Sequence, residues 1–480
     1  MIGRASAGGR MVAFWQSVGT RFLPFADAAS PDLPLGRLLR LSLFQVSVGM
    51  AAVLLTGTLN RVMIVELGVP TSLVALMVAI PVLAAPLRVL IGHRSDTYRS
   101  VLGWRRVPYV WLGTLLQFGG FAIMPFALLL LQSQTLGPTW AGPVAAAAAF
   151  LLTGLGMHMA QTAGLALATD LSAERNRPRV VALVYVVLLV GMIAASLAFS
   201  LLLAEFSPKR LIQVVQGAAV VTVLLNVAAL WKQEPRDPQR TRPDRPRPRF
   251  AEVFALYRSD PRTPRLLVGV GLGSAAFSMQ DVLLEPYGAE ILGFTVAQTT
   301  LLTALWAAGT LAGFALAGRL LAGGFDMHRV AALGALAGIA AFSAVIFAGP
   351  LASAALFRAG TAVIGFGSGL FAVGTMLAAM ELAERTDSGF AIGAWSAVQA
   401  TAIGVGLALG GIIRDAVNAL ALDGALGAAL VTPSTGYNTV YHLEIALLFV
   451  SLAVLGPLAG RRFAKGRDRL SRFGLADLPG

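Results

Sequence analysis

Several runs in this chain stay apolar for about 20 residues or more, and a helix of about 20 residues spans the ~30 Å hydrocarbon core of a bilayer. A soluble core helix of that length would carry a polar face, and these runs mostly lack one. Twelve such segments fall roughly at 38–64, 71–91, 107–132, 143–169, 180–204, 211–231, 265–291, 296–317, 329–349, 352–380, 390–414 and 439–460. Polar or Gly/Pro breaks separate them. The chain is 56% hydrophobic and 13% charged, with a mean hydropathy of +0.74, which excludes a soluble domain.

With no cysteine, the chain has no disulfides, thiolate metal sites or cysteine nucleophiles. Four histidines argue against a multi-histidine metal site. The first apolar run begins near Arg40, too far along for the apolar core of a cleaved signal peptide.

The net charge of +13 raises the question of nucleic acid, and the placement of the charges answers it. With the N-terminus in the cytoplasm, all but five of the 37 Lys and Arg fall on that side. The exceptions are Arg61, Lys209, Arg210, Arg358 and Arg414. The 232–265 connector carries ten, the C-terminal tail six and the 88–106 connector five. Such asymmetry predicts a multi-pass protein of the cytoplasmic (inner or intracytoplasmic) membrane with both termini inside, and it explains the basic pI without nucleic acid. The tail "GRRFAKGRDRL" is also suited to anionic lipid.

The predicted organisation is a cytoplasmic leader (1–37), a six-helix bundle (38–231), a Pro/Arg-rich linker (232–264), a second six-helix bundle (265–460) and a basic tail (461–480). The linker "KQEPRDPQRTRPDRPRPRF" cannot bury a core and is expected to be extended or disordered. The two halves echo one another. "GLGMHMAQTAGLALATDLSAER" from Gly154 matches "GFGSGLFAVGTMLAAMELAER" from Gly365, and "ELGVPTSLVALM" from Glu66 matches "EILGFTVAQTTLL" from Glu290. With six spans per half, the repeats run parallel. The predicted fold is therefore all-helical, twelve transmembrane helices in the 6+6 parallel repeat of the major facilitator superfamily.

"GLGSAAFSMQDVLLEPYGAEILGF" carries the costliest residues. Asp281 and Glu285 share a helix face at i and i+4. Asp281 is expected in the outer half of the membrane, and Glu285 near the outer interface, where Pro286 can end or kink the helix. By the repeat, Asn60 corresponds to Glu285, with Arg61 beside it. An arginine on span one facing a carboxylate on span seven would cross between the halves. Three roles fit Arg61, Asp281 and Glu285: a static ion pair, a charge gate on a cavity, or a proton site at Asp281.

"GHRSDTYRSVLGWRR" resembles the cytoplasmic connector of major facilitator transporters at Gly92, Asp96, Gly103, Arg105 and Arg106, although the gap from Asp to Gly is longer here. Its charges suit a latch at the cytoplasmic ends of the spans, and membrane topology alone accounts for the arginines equally well. Asp170, Glu174 and Arg175 at one span end match Glu381, Glu384 and Arg385 at another, as candidates for salt bridges between the halves. No Walker-type phosphate loop, catalytic triad or metal-ligand cluster appears, which argues against an ATP-driven pump or a soluble-type enzyme.

Longer stretches carry a closer resemblance. "RFLPFADAASPDLPLGRLLRLSLFQVSVGM", "GTLNRVMIVELGVP", "GWRRVPYVWLGTLLQFGGFAIMPFALLLL" and "DVLLEPYG" are similar to the PucC/LhaA family of purple phototrophic bacteria, over nearly the whole chain. The length and leader look more like the LhaA branch. The resemblance implies a non-enzymatic factor for assembly of light-harvesting antenna, with the core antenna (LH1) as client. Implied partners are the antenna polypeptides and bacteriochlorophyll-synthesising enzymes, with bacteriochlorophyll bound transiently. In that setting His158, well inside a span in "GLGMHMAQTAG", is a candidate axial ligand to the pigment magnesium, with its flanking glycines and alanines admitting a flat macrocycle. Lone membrane histidines also serve simply as hydrogen-bond partners between helices. The alternative function is a proton-coupled secondary transporter of a small molecule.

Overall fold

The computed structural model describes residues 28–30, 33–84, 104, 106–132, 138–173, 176–234, 262–383 and 388–459, and every regular element among them is helical. In chain order the long helices are α1 (Leu35–Glu66), α2 (Thr71–Leu83), α3 (Val107–Gln132), α4 (Ala141–Asp170), α5 (Arg177–Leu202), α6 (Pro208–Leu230), α7 (Arg262–Glu290), α8 (Val296–Ala322), α9 (Met327–Ala348), α10 (Ala354–Ala383), α11 (Ser388–Leu422) and α12 (Thr435–Leu455). All but α2 are long and apolar enough to cross a membrane. The rest of the predicted second span lies outside the described residues, as do most of the leader and linker and the tail from residue 460.

Helices α3 and α4 pack along one another, and α1 lies against α4, α5 and α6. The later helices repeat the scheme: α9 packs on α10, and α7 lies against α10, α11 and α12. The echo that aligns Gly154 with Gly365 also aligns Gly156 with Gly367, and both sit at the matching helix crossing. A Cβ on Gly156 would collide with the backbone of Gly113 and Gln117 on α3. One on Gly367 would lie 2.7 Å from the Gly334 carbonyl and 3.0 Å from the Gly338 amide on α9. Small residues let membrane helices approach to backbone contact, and that constraint preserves the repeat.

Large apolar side chains such as Phe126, Leu201, Leu224 and Phe347 are exposed around the bundle, as a lipid-facing surface requires. Buried polar groups are mostly paired inside. In the first half Gln117 Nε2 donates to the Ser47 carbonyl (2.9 Å), Ser47 Oγ to Asn226 Oδ1 (2.9 Å), and Asn226 Nδ2 to Thr114 Oγ1 (2.8 Å).

One end of the bundle is basic. There Arg37 binds the side chain and carbonyl of Gln233, and Arg40 binds the Trp231 carbonyl, so α1 caps the C-terminal end of α6. Glu234 accepts from the Arg106 and Val107 amides (2.8–3.1 Å), placing a carboxylate on the N-terminus of α3.

The halves meet through α2 on α11, α5 on α8, and α1 against α7 and α8. Five hydrogen bonds cross this interface among the described residues. They are Thr58–Thr300, Asn60–Val282, Arg61–Phe294, Ser72–Asp415 and Ser200–Ala297. All five lie in the parts of the helices remote from the basic end.

Candidate functional site

The seam between the halves is built where two helices depart from regular winding. Helix α1 widens into π-type turns at Val53–Thr58 and Val62–Glu66. Its loosened carbonyls are taken by its own side chains: Thr56 Oγ1 donates to the Ala52 carbonyl (2.9 Å) and Asn60 Nδ2 to the Thr56 carbonyl (3.1 Å). Helix α7 instead tightens into a 3₁₀ turn at Met279–Val282 before resuming at Leu284.

Pro286 does not end α7. It sits inside the last segment, and its effect is felt one turn earlier. Proline has no N–H, so the carbonyl four residues back, that of Val282, loses its helical donor. Asn60 of α1 supplies the replacement from across the seam, at 3.1 Å. A buried carbonyl without a partner is costly, and this bond supplies the partner from the other half.

Glu285 is 2% exposed and lies against Gly57 of α1. Its Oε1 accepts from Thr303 Oγ1 of α8 at 2.7 Å, and its Oε2 has no hydrogen-bond partner. A Cβ at position 57 would sit 2.6 Å from that Oε1, so glycine makes room for the carboxylate. Arg61 is buried nearby and acts on Glu285 through space. The two form no ion pair, however: the guanidinium pairs with Glu66 at the end of its own helix and reaches the Phe294 carbonyl. The expected bridge from Arg61 to a carboxylate of α7 is therefore not formed. Glu66 is about one turn of this π-type winding from Arg61 and reaches it first.

Asp281 is half-buried in the 3₁₀ turn and accepts from Gln280 Nε2 beside it. The sequence reading missed its counterpart on α12. Glu444 is fully buried, and neither carboxylate oxygen has a hydrogen-bond partner. Asp281 stands nine residues before the end of α7 and Glu444 nine residues after the start of α12. Both therefore lie about 13 Å from the same end of the bundle.

That end is clamped by a second group of residues. Arg414 of α11 donates to Glu290 of α7 (2.7 Å), Asp415 (3.0 Å) and Tyr437 of α12 (3.0 Å), with its guanidinium 4.5 Å from the Tyr437 ring centre. Tyr437 also donates to Glu290 at 2.9 Å. Asp415 accepts from the Ser72 amide at 2.7 Å, and so caps α2 of the other half.

The remaining predicted residues lie elsewhere. His158 is buried on α4, one turn from Gly154. The glycines around it are filled by neighbours, Pro81 at Gly154 and the α3 backbone at Gly156, so they leave no flat open face for a macrocycle. Of the connector residues, Gly92, Asp96, Gly103 and Arg105 lie outside the described residues. Arg106 pairs with Asp170 at 3.0 Å. That bridge joins α3 to α4 within one half. Asp170 was expected to bridge the halves; its bond to Arg106 stays within one bundle, because the end of α4 adjoins the start of α3. Glu381 closes α10 and acts on His328 of α9, again within one half. Glu174, Arg175, Glu384 and Arg385 lie outside the described residues. Among the described residues no cluster of three or more His, Cys, Asp or Glu is arranged for a metal.

Two repeated helical halves, meeting at a polar seam inside an apolar bundle, define a membrane protein of the major facilitator type. Solved structures agree. A bacterial homologue of the human lysosomal transporter Spinster, inward-facing and unoccupied, superposes with a TM-score of 0.65 over 92% of this chain and 98% of its own, at 14% identity. That likeness establishes the fold alone.

Residues 58–463 match the family described as PUCC protein, and the chain belongs to it. Protein PucC of Rhodovulum sulfidophilum is 56% identical over 84% of this chain and 90% of its own length. A protein of Rhodobacter capsulatus, named for the puhA-bchM intergenic region and otherwise uncharacterized, is 54% identical over 96% of this chain and 98% of its own. At a greater distance, a bacteriochlorophyll synthase 44.5 kDa chain of Rhodobacter capsulatus is 29% identical over 89% of this chain and 97% of its own.

Proposed function

We propose that this protein is a non-enzymatic assembly factor for light-harvesting antenna, serving the core antenna (LH1) and handling bacteriochlorophyll, antenna polypeptides or both within the bilayer. Membership of the PucC family over most of the chain carries this reading. The exposed apolar surfaces along the spans offer greasy clients a route from the side, whereas an aqueous solute needs a path through the centre. Antenna polypeptides and pigment-synthesising enzymes are its proposed partners. It sits in the cytoplasmic membrane with both termini inside, because the basic end then faces the cytoplasm. The absence of cysteine makes that orientation simple to check with single introduced cysteines and an impermeant thiol reagent.

The deciding experiment is pigment extraction and an absorption spectrum of the protein, purified in mild detergent from a pigment-making host beside an unrelated twelve-span protein. Stoichiometric bacteriochlorophyll, absent from the control, supports direct pigment handling, and His158→Ala then asks whether that side chain holds it. A colourless protein that brings down antenna polypeptides supports scaffolding. A colourless protein without antenna partners overturns the proposal.

The transporter fold favours a second reading, secondary transport of a small solute. Uptake by vesicles containing the protein, lost in Asp281→Asn, would establish it.

A further inference from the structure

Among the described residues, Glu444 is the most anomalous. It lies well inside a membrane helix, is 0% exposed, and has two carboxylate oxygens without a hydrogen bond. The Gln280 backbone N–H faces it without closing a well-formed bond. Asp281 lies on the neighbouring helix at the same depth, in the 3₁₀ turn of α7 that packs against α12, and Glu444 feels its charge through the interior. A buried carboxylate without a counter-charge is strongly disfavoured.

Among the described residues, no counter-charge comes from the surrounding helices. On α1, Arg61 is paired with Glu66. On α11, Arg414 is paired with Glu290 and Asp415. On α10, Arg358 stands over the Phe294 ring at 5.0 Å, and Glu381 is at the far end. On α8, the described part of α2 and the upper part of α9, the facing groups are uncharged; His328 and Arg329 lie at the far end of α9. Arg265 of α7 is 16 residues from Asp281, about 24 Å along the helix. Tyr437 is engaged with Glu290.

The uncommitted groups here present oxygen. Tyr441, one turn before Glu444 on the same face of α12, is fully buried with an unpartnered hydroxyl and feels the Glu444 carboxylate. It is fixed by an edge contact with Tyr287 (5.6 Å) and by stacking on Phe342 (6.3 Å). Gln280 directs its amide nitrogen at Asp281 and leaves its Oε1 unpartnered. All of this gathers at the interruption of α7, and interrupted membrane helices are where transport proteins hold small cations.

We propose that Asp281 and Glu444, with Gln280 and Tyr441, form a binding site for one exchangeable monovalent cation, a proton or a sodium ion. Two carboxylates and two neutral oxygens suit a single charge, whereas a divalent metal usually takes more carboxylates or keeps several waters. The site is distinct from Glu285, which Thr303 and Gly57 hold in the seam. It does not depend on the antenna role, since a client-handling protein and a solute carrier could both use it.

The test is infrared spectroscopy of the full-length protein in lipid vesicles, in choline buffer near neutrality, with sodium chloride or choline chloride then added. Wild-type protein is expected to show the carbonyl stretch of a protonated carboxyl, shifted by heavy water. The single variants Asp281→Asn and Glu444→Gln should displace this band, and the double variant should lose that component, leaving only what Glu285 contributes. If sodium chloride removes the band and choline chloride does not, sodium replaces the proton. If neither changes it, the cation is the proton alone. The proposal is overturned by a band that heavy water leaves unmoved, or by one that persists unchanged in the double variant. Absence of any band in wild type, together with no response to sodium, also overturns it. The wild-type measurements stand without the variants, so failure of either variant to fold does not rescue a failed site.

Discussion

Helices α1 and α7 occupy equivalent places in the two halves, and both depart from regular winding beside the seam, yet they do so in opposite ways. Helix α1 loosens and satisfies itself, with Thr56 and Asn60 bonding carbonyls of their own helix. Helix α7 tightens, contains a proline, and depends on Asn60 of the other half for its orphaned Val282 carbonyl. Helix α1 carries a cation paired within its own helix, whereas α7 carries Asp281 and Glu285, which no cation pairs. One helix is therefore self-contained and the other is completed by its neighbours. Substitutions in α1 should injure α7 more than α1 itself.

The largest effect is expected where α7 is held most firmly. Arg414→Met strips Glu290 and Asp415 of their shared cation and should cost about 3 kcal/mol, read as a fall in the melting temperature of the purified protein. Gly57→Ala comes next. Its methyl group competes with the Glu285 carboxylate and should cost about 1–3 kcal/mol, and Glu285→Ala in the same chain should recover part of the loss. Asn60→Leu should cost a similar ~1–3 kcal/mol by leaving the Val282 carbonyl bare. Adding Pro286→Ala restores a backbone donor to that carbonyl, so Asn60→Leu should cost less in that background. Equal costs in the two backgrounds would break the account of how α7 is completed. Thr58→Val removes only the hydroxyl pair with Thr300 (3.2 Å) and should cost about 1 kcal/mol or less.

Much of the architecture was legible because it follows from strong, local constraints. Long apolar runs mark the spans, and the Gly154 and Gly365 echoes marked a repeat whose glycines turn out to be helix crossings. Asp281 and Glu285 stood out as acids in an apolar run. Glu444 and Arg414 were equally visible as charges inside predicted spans, but their meaning depends on residues more than 100 positions away. Glu444 matters because of Asp281, and Arg414 because of Glu290. Pairing across helices leaves no periodic trace within either one. The Arg61 expectation failed for the complementary reason: a nearer acid, Glu66, lay in the same helix. The turns of α1 were also invisible, since no proline marks them.

The bond from Asp415 to the Ser72 amide has a consequence for how the molecule would report its own motion. The first turn of α2 takes its cap from the opposite half, so separating the halves at that end would leave the helix start without it. Hydrogen exchange at the Ser72 amide would then act as a native gauge of opening, fast in any state where the halves part and slow where they stay joined. A client or cation that closes the bundle should slow that one proton even when it binds far from it.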